Sequence, residues 1–530
     1  MMTLRNTNAL VALLALASAA AAGSQPPADW MRHYDGGSRF SDAVEHMALG
    51  PGGTITVTGA SDSEDLIEDI ATVRYDADGN ELWAARYNGD LDWIDVPAGV
   101  GVDAAGNAYV LGNTWGGYNH QGGGEWDYIL IKYDPAGAQV WARQYDGPLH
   151  WSDTPTGLVV DDAGNSYACG YARFERDQFN RLVTHFHVAK FDPLGALAWE
   201  IAFDLDPHQG AGADDIRFAP DGNIVVTGIA EAPPLNSSND DVITMKVSPD
   251  GQILWTRQWD SGGFSNGLDR ALGVDTDRLG NVYALAQFMS DDLERHLDGA
   301  LLRYAPDGTL EWVANTGLDR PDAMFEMVDD EEGNLYLAGG WDNGMDNDGM
   351  VVSLDAAGQE RWRVFFDNFP GFDYQHANAI MRGPDGLLYV GLDYQWDGAA
   401  GYDYTIAILD TDGNELDTWR YDTGSNSDTF PWIDGYLMDA QGNIFIGGYS
   451  WFDLTRADFT VVKVPASAVG GLEGDLDGDG DVDLTDLSLM LAAFGSCLGD
   501  PGFNPAADLD ETLCVELTDL SILLANFGVR

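Results

Sequence analysis

Fourteen residues near the C-terminus, GDLDGDGDVDLTDL from Gly474 to Leu487, carry six aspartates. Counted from Asp475, acidic side chains fall at loop positions 1, 3, 5, 7, 9 and 12: Asp475, Asp477, Asp479, Asp481, Asp483 and Asp486. Gly480 stands at position 6, where the chain must turn sharply. Oxygen donors at those places, with the backbone carbonyl serving at position 7, supply the contacts that Ca2+ takes. A flexible acidic linker explains neither the glycine nor the apolar run LSLMLAAFG that follows. A second copy, DLDETLCVELTDLSILLANFG, puts Asp508, Asp510, Thr512, Glu516 and Asp519 at positions 1, 3, 5, 9 and 12. Leu513 at its position 6 resists positive φ, and the loss of a carboxylate at position 5 lowers affinity, so this site is expected to be the weaker.

Two such loop–helix units, each with LTDLS, fill residues 474–530 and resemble a type I dockerin, whose calcium loops are of the EF-hand type. The resemblance implies a small calcium-folded module that plugs a secreted protein into a cohesin domain, commonly in polysaccharide-degrading assemblies. Loop positions 10 and 11 help choose the cohesin in that family; here they are Leu484 and Thr485, then Leu517 and Thr518. Near-identity of the halves would let either helix face the partner. A cell-surface component is the other partner considered. Cys497 and Cys514 flank the connection between the helices and are expected to pair, a staple suited to a domain with little core. Cys169, alone in SYACGY, is expected to be a buried strand residue.

What this module would carry is a repeat. AARYNGDLDWIDVPAGVGVDAAGNAYVLGNTWGG from Ala84 realigns with ARQYDGPLHWSDTPTGLVVDDAGNSYACGYARF from Ala142, 58 residues on. Closing tryptophans recur at Trp83, Trp141, Trp199, Trp255, Trp312, Trp362 and Trp419, and Trp30 matches them at the start. Each unit holds four short β-rich runs joined by turns such as DAAGN and YDPAG, where Asp bonds local backbone and Gly takes positive φ. Four antiparallel strands repeated radially describe the blades of a β-propeller. The last unit stops after FTVVKV, and the orphan DWMRHYD near the N-terminus is expected to complete it, leaving no free sheet edge. The expected fold is therefore mainly β: an eight-bladed propeller over residues 29–465, with seven blades as the alternative, then a linker over 466–473 and the small helical module. Secreted bacterial propeller repeat proteins resemble this pattern through stretches such as VDAAGNAYVLG, which speaks to fold and not to activity.

Composition narrows the setting. With 87 acidic against 26 basic residues, the net charge of −61 repels nucleic acid and anionic membranes and attracts divalent cations. Residues 1–22 read as a secretory signal: Arg5, a short apolar run, then small residues with cleavage expected near Ala22–Gly23. No later stretch is apolar for long enough to span a bilayer. A secreted or cell-surface protein with a monomeric propeller is expected.

Within the repeat, an Asp sits eleven residues before the glycine of the first turn in four units: Asp95, Asp153, Asp269 and Asp322. Asp42 and Asp434 lie near the same place, and Trp93, Trp151 and Trp432 accompany Asp95, Asp153 and Asp434. Carboxylates with aromatic platforms could grip sugar rings or cations. Their recurrence favours a structural brace at each blade entrance, because a catalytic site usually breaks a repeat's symmetry. The seventh unit departs from the others with Asp373, His376 and Asn378, and a lone His there reads as a loop residue. The ending Gly137 to Trp141 is similar to the docking motif of quinoprotein dehydrogenases, but it lacks the threonine and the adjacent cysteine pair. Sialidase Asp-boxes fail in the same comparison, and Gly-x-Ser-x-Gly and His-Glu-x-x-His are absent. The reading leans to a binding or scaffold part. A glycoside hydrolase or polysaccharide lyase is the alternative, to be recognised by paired carboxylates in the channel outside the repeat register.

Overall fold

The computed structural model describes residues 29–465, with breaks at 37–41, 63–66, 90, 119–123, 177–181, 206–209, 232–239, 263–268, 290–296, 317–321, 343–346, 367–375, 396–401, 422–432 and 454–455. Toward the C-terminus it describes residues 476, 482, 484–497, 504, 507, 509, 514–525 and 527. The expected signal, the linker and most of the acidic loops lie outside the described residues. Among those described, no helix is long and apolar enough to cross a membrane.

Eight four-stranded antiparallel sheets follow one another along the chain. The first seven begin with strands Asp42–Gly50, Asp95–Val102, Thr154–Val160, Ala211–Phe218, Arg270–Thr276, Asp322–Asp329 and His376–Arg382, and the eighth with Ile433–Met438. The first seven run through their second, third and fourth strands in chain order, with a short turn after each first strand. In blade 2 the first hairpin shows why: Asp103 Oδ1 accepts the N–H groups of Ala105 (3.0 Å) and Asn107 (2.8 Å), and Gly106 takes φ +84°. First strands lie beside the first strands of neighbouring blades, so that a Cβ on Gly99 would come within 2.9 Å of Leu158. Together they ring the axis.

The eighth sheet is completed from the other end of the chain. Trp30–Tyr34 pairs antiparallel with Arg456–Val464 in the register Trp30 to Lys463 and Tyr34 to Phe459. The structure thus has eight blades, and the seven-bladed alternative is set aside.

The repeating tryptophans lock blade to blade. Each lies on a fourth strand, and among the described residues the indole N–H of six of the eight reaches a carbonyl in the outer turn of the next blade, while Trp83 Nε1 is buried without a hydrogen-bond partner. Trp30 donates to Ala77 O at 3.0 Å, Trp141 to Pro193 O at 3.3 Å, Trp199 to Pro249 O at 3.0 Å, Trp255 to Pro306 O at 3.1 Å and Trp362 to Thr411 O at 2.9 Å. The glycine that follows in each turn lies flat on the ring: Gly79 has φ +76°, and a Cβ there would sit 2.5 Å from Trp30. Between these contacts, apolar clusters such as Tyr109, Leu111, Leu130 and Trp141 with Ala168 and Phe191 fill the space between successive sheets.

Trp30 holds the ring closed, buried with Tyr75 and Phe445 at centroid distances of 6.0 and 6.1 Å. Trp30→Ala is expected to cost ~3–5 kcal/mol in denaturant unfolding and to promote aggregation through the freed edge of the last strand. Trp199→Ala, at a half-buried site inside the ring, is expected to cost less and to leave the protein monomeric.

Candidate functional site

The aspartates at the blade entrances hold backbone. Asp95 accepts Gly89 N at 2.5 Å, Asp153 accepts Gly147 N at 2.6 Å and Arg173 N at 2.9 Å, and Asp269 accepts Ser261 N and Oγ, both at 2.8 Å. Asp42 does the same with Gly36 N at 2.8 Å and the Ser61 hydroxyl. Burial lifts Asp153 and Asp269 to about 6 despite these bonds. Asp322 opens its strand, as the others do, and Asp434 lies at an irregularity in its own; their side chains and Trp432 lie outside the described residues. The four described carboxylates brace the loops that enter blades 1, 2, 3 and 5.

Aromatic side chains gather at one of these entrances. Trp93, 47% exposed, lies 5.8 Å from Trp115, which meets Trp126 edge-on at 5.3 Å. Trp151, on the next loop, carries the Arg176 guanidinium over its ring at 5.6 Å. A shelf of three indoles is the geometry on which the apolar face of a sugar ring rests.

The departure from symmetry lies deeper. Every first strand carries a β-bulge at the same place, opposite the second strand: Glu45, Ala98, Thr156, Asp214, Leu272, Phe325, Asn378 and Asp434. The next residue is Gly99, Gly157, Gly273, Ala379 or Gly435 in five blades. It is His46, Asp215 and Glu326 in the other three, and two residues further Arg217 and Asp275 join them. Arg217 Nη1 lies 2.6 Å from Asp215 Oδ1, and Asp215 Oδ2 accepts Val274 N from the next blade at 3.0 Å. Glu326 likewise accepts the Ile380 amide of its neighbour. Three consecutive blades thus bring three carboxylates and one guanidinium together around the axis.

Water reaches this cluster, since the Arg217 side chain keeps 52% of its accessible surface. It is nonetheless walled by protein. Burial lifts Glu326 to about 7 and Asp275 to about 6, with Arg217 opposing both shifts, and it lowers His46 to about 4. Near neutral pH, Glu326 therefore carries a proton that can be given up. The sequence signal for this site is the charged residue standing where other repeats have glycine; attention to the recurring aspartates passed over it. In the seventh blade, His376 opens a strand instead of lying in a loop, edge-on to Phe325 at 6.0 Å, and Asn378 is the bulge residue. Asp373 lies outside the described residues.

At the C-terminus two helices, α1 (Leu484–Ala493) and α2 (Leu517–Ala525), share a small core of Val482, Met490, Ala493, Ala507, Val515 and Leu523. Cys497 and Cys514 form a disulfide, and Cys169 is free and buried in the propeller. Of the expected calcium ligands, Asp486, Glu516 and Asp519 are described. Asp486 and Asp519 are completely buried, and each folds back toward its own loop: Asp486 Oδ1 accepts Leu476 N at 2.6 Å and Asp519 Oδ2 accepts Glu516 N at 2.7 Å. That orientation fits the closing ligand of a calcium loop. Leu484, Thr485, Leu517 and Thr518 are all exposed. The outward faces of the helices match: Leu484, Leu491 and Phe494 are 71%, 55% and 41% exposed, and Leu517, Leu524 and Phe527, each 33 positions later, are 74%, 51% and 41% exposed.

No family model matches the chain, and no curated protein does. Solved structures are similar at low identity. A polysaccharide lyase of family PL25, an ulvan lyase bound to its glucuronyl-rhamnose sulfate ligand, is similar at 12% identity and a TM-score of 0.42 over 72% of this chain and 94% of that one. Puromycin hydrolase is similar at 14% identity and a TM-score of 0.42 over 81% of this chain and 62% of that one. A Bacteroides caccae protein of unknown function is similar at 15% identity and a TM-score of 0.32 over 59% of this chain and 93% of that one.

The channel cluster makes stability depend on pH with a definite sign. Glu326 and Asp275 titrate near 4 in the unfolded chain and higher in the fold, so the native state holds more protons between about pH 4 and 7, and stability falls as pH rises through that window. Glu326→Gln is expected to raise unfolding free energy at pH 8 by on the order of 1–3 kcal/mol and to leave it unchanged at pH 4. A variant less stable than the native protein at pH 8 would show instead that Arg217 holds the carboxylate ionised.

Proposed function

We propose that this is an exported, calcium-dependent protein whose C-terminal module docks the propeller to a cohesin-like partner, and whose propeller serves as the carbohydrate-recognition part of the assembly. The duplicated apolar stripe carries this reading. Two short helices that share one core present the same three large apolar side chains outward, and a module with so little core gains nothing by exposing them unless a partner covers them. Duplication at a spacing of 33 residues offers the partner two equivalent faces. Calcium at Asp475, Asp477, Asp479, Asp481, Asp483 and Asp486, and at the second set ending in Asp519, would order the loops that precede each stripe. Export agrees with the signal-like residues 1–22 and with the disulfide. The Trp93, Trp115 and Trp126 shelf supports carbohydrate as the ligand class.

A second reading makes the propeller a polysaccharide hydrolase or lyase. The observation in its favour is the Asp215, Arg217, Asp275 and Glu326 cluster, which breaks the repeat's symmetry and includes a carboxyl group protonated near neutral pH.

Both readings are open to measurement on the mature chain. On immobilised cohesin domains in calcium, Leu484→Asp and Leu517→Asp singly are expected to weaken capture less than about tenfold, since one face remains, and together to weaken it more than about a hundredfold. Chelator should mimic the pair; capture by the double variant would end the docking proposal. With a panel of polysaccharides, binding without new chain ends is expected, weakened by Trp93→Ala. Release of chain ends, lost in Glu326→Gln, would replace the binding role with catalysis.

A further inference from the structure

The junctions between blades contain an internal comparison. Three positions meet at a junction: one on the third strand of a blade, one just after its fourth strand, and the aspartate that opens the next blade. Between blades 1 and 2 these are Asp69, Asn88 and Asp95. Arg86, on the fourth strand, brings its guanidinium to 3.6 Å from Asp69. Two carboxylates and one arginine give this set a net charge of −1.

Between blades 2 and 3 the same register places Gln144 where Arg86 stands and Asp146 where Asn88 stands, with Asp127 and Asp153 in the other two places. Between blades 4 and 5 the set is Gln258, Asp260, Asp241 and Asp269. Twice, then, the arginine is lost and a carboxylate is gained together, and the charge of the set goes from −1 to −3. At the closure of the ring, His33 stands in the arginine place, and Asp458, Asp35 and Asp42 are the three carboxylates. In all three triads one oxygen from each residue lies within 4.8 Å of the others.

Asp127 shows that the space is built for an acceptor's partner. The residue is 2% exposed, and its Oδ2 is taken by Gln144 Nε2 at 2.6 Å. Its Oδ1 is buried and accepts no hydrogen bond. Asp153 is completely buried and spends its bonds on Gly147 N and Arg173 N, while Asp146 faces the exposed His150 at 2.7 Å. A buried carboxylate oxygen among two further carboxylates needs a positive partner.

We propose that the junction of blades 2 and 3 binds one hard divalent cation, of the calcium type, through Asp127, Asp146 and Asp153. The donors are all carboxylate oxygens, which suits calcium over zinc or copper. Oxygens that share a calcium ion at 2.3–2.6 Å lie no more than about 5 Å apart, as these do. None of this rests on the C-terminal loops or on the docking role.

The test uses the full mature chain with the C-terminal loops disabled by Asp475→Ala, Asp486→Ala, Asp508→Ala and Asp519→Ala. Equilibrium dialysis against calcium is expected to find bound metal in this chain, with propeller unfolding shifted to higher temperature by calcium over chelator. Asp127→Asn with Asp146→Asn should remove one equivalent; Asp69→Asn, at the arginine-paired junction, should remove none. If a double variant does not fold, Asp146→Asn alone, at the outer ligand, should weaken one class of site at least about tenfold. No binding by the loop-disabled chain at about 5 mM calcium, above the range of extracellular modules, would overturn the proposal. So would an unchanged count in the double variant.

Discussion

The contact on which the rest of the molecule depends is the indole of one blade lying on the outer turn of the next. A single blade has two apolar faces and cannot bury either alone, so its stability lies in the fit to its neighbours. The tryptophan N–H satisfies a turn carbonyl that would otherwise face apolar surface, and the adjacent positive-φ glycine lets the ring approach without a Cβ in the way. Repeating this contact sets the angle between blades. That angle decides whether a ring closes and with how many members.

Closure joins residues more than 400 positions apart, Trp30 with Lys463 and Tyr34 with Phe459. The strand bridging this gap is also the one whose indole reaches the first blade, so one short segment completes a sheet and fastens two blades at once. Closing the ring also creates the channel. Residues on separate repeats, unremarkable within each strand, become neighbours there: Arg217 from blade 4 lies in the field of Asp275 from blade 5 and Glu326 from blade 6. Confinement raises the cost of ionising each carboxyl group even though water reaches the guanidinium.

The C-terminal module works on a different balance. Among the described residues, six buried apolar side chains, four partly buried leucines and a disulfide hold two helices, while Leu484, Leu491, Phe494 and their counterparts point outward. In a propeller the apolar surface is consumed by neighbouring blades; in this module it is left over. The contrast separates a part built to be rigid from a part that presents a surface.

The eight-fold repeat, the four strands of each blade and the strand that closes the ring were legible in the sequence, because local turn chemistry and the spacing of Trp30 to Trp419 depend on residues close together in the chain. The disulfide pair and the matched helices were legible for the same reason. What the aspartates at the blade entrances do was not. Asp153 and Asp269 look alike in sequence to residues that could face a ligand, and only the path of the incoming loop turns their oxygens onto backbone amides. Nor could spacing reveal the channel cluster or the acidic junctions, since Asp215, Asp275 and Glu326, or Asp127, Asp146 and Asp153, meet only when neighbouring blades stack. Local pattern determined each blade; the angle at which blades pack decided which charges came together, because electrostatic contact depends on distance through space and not along the chain.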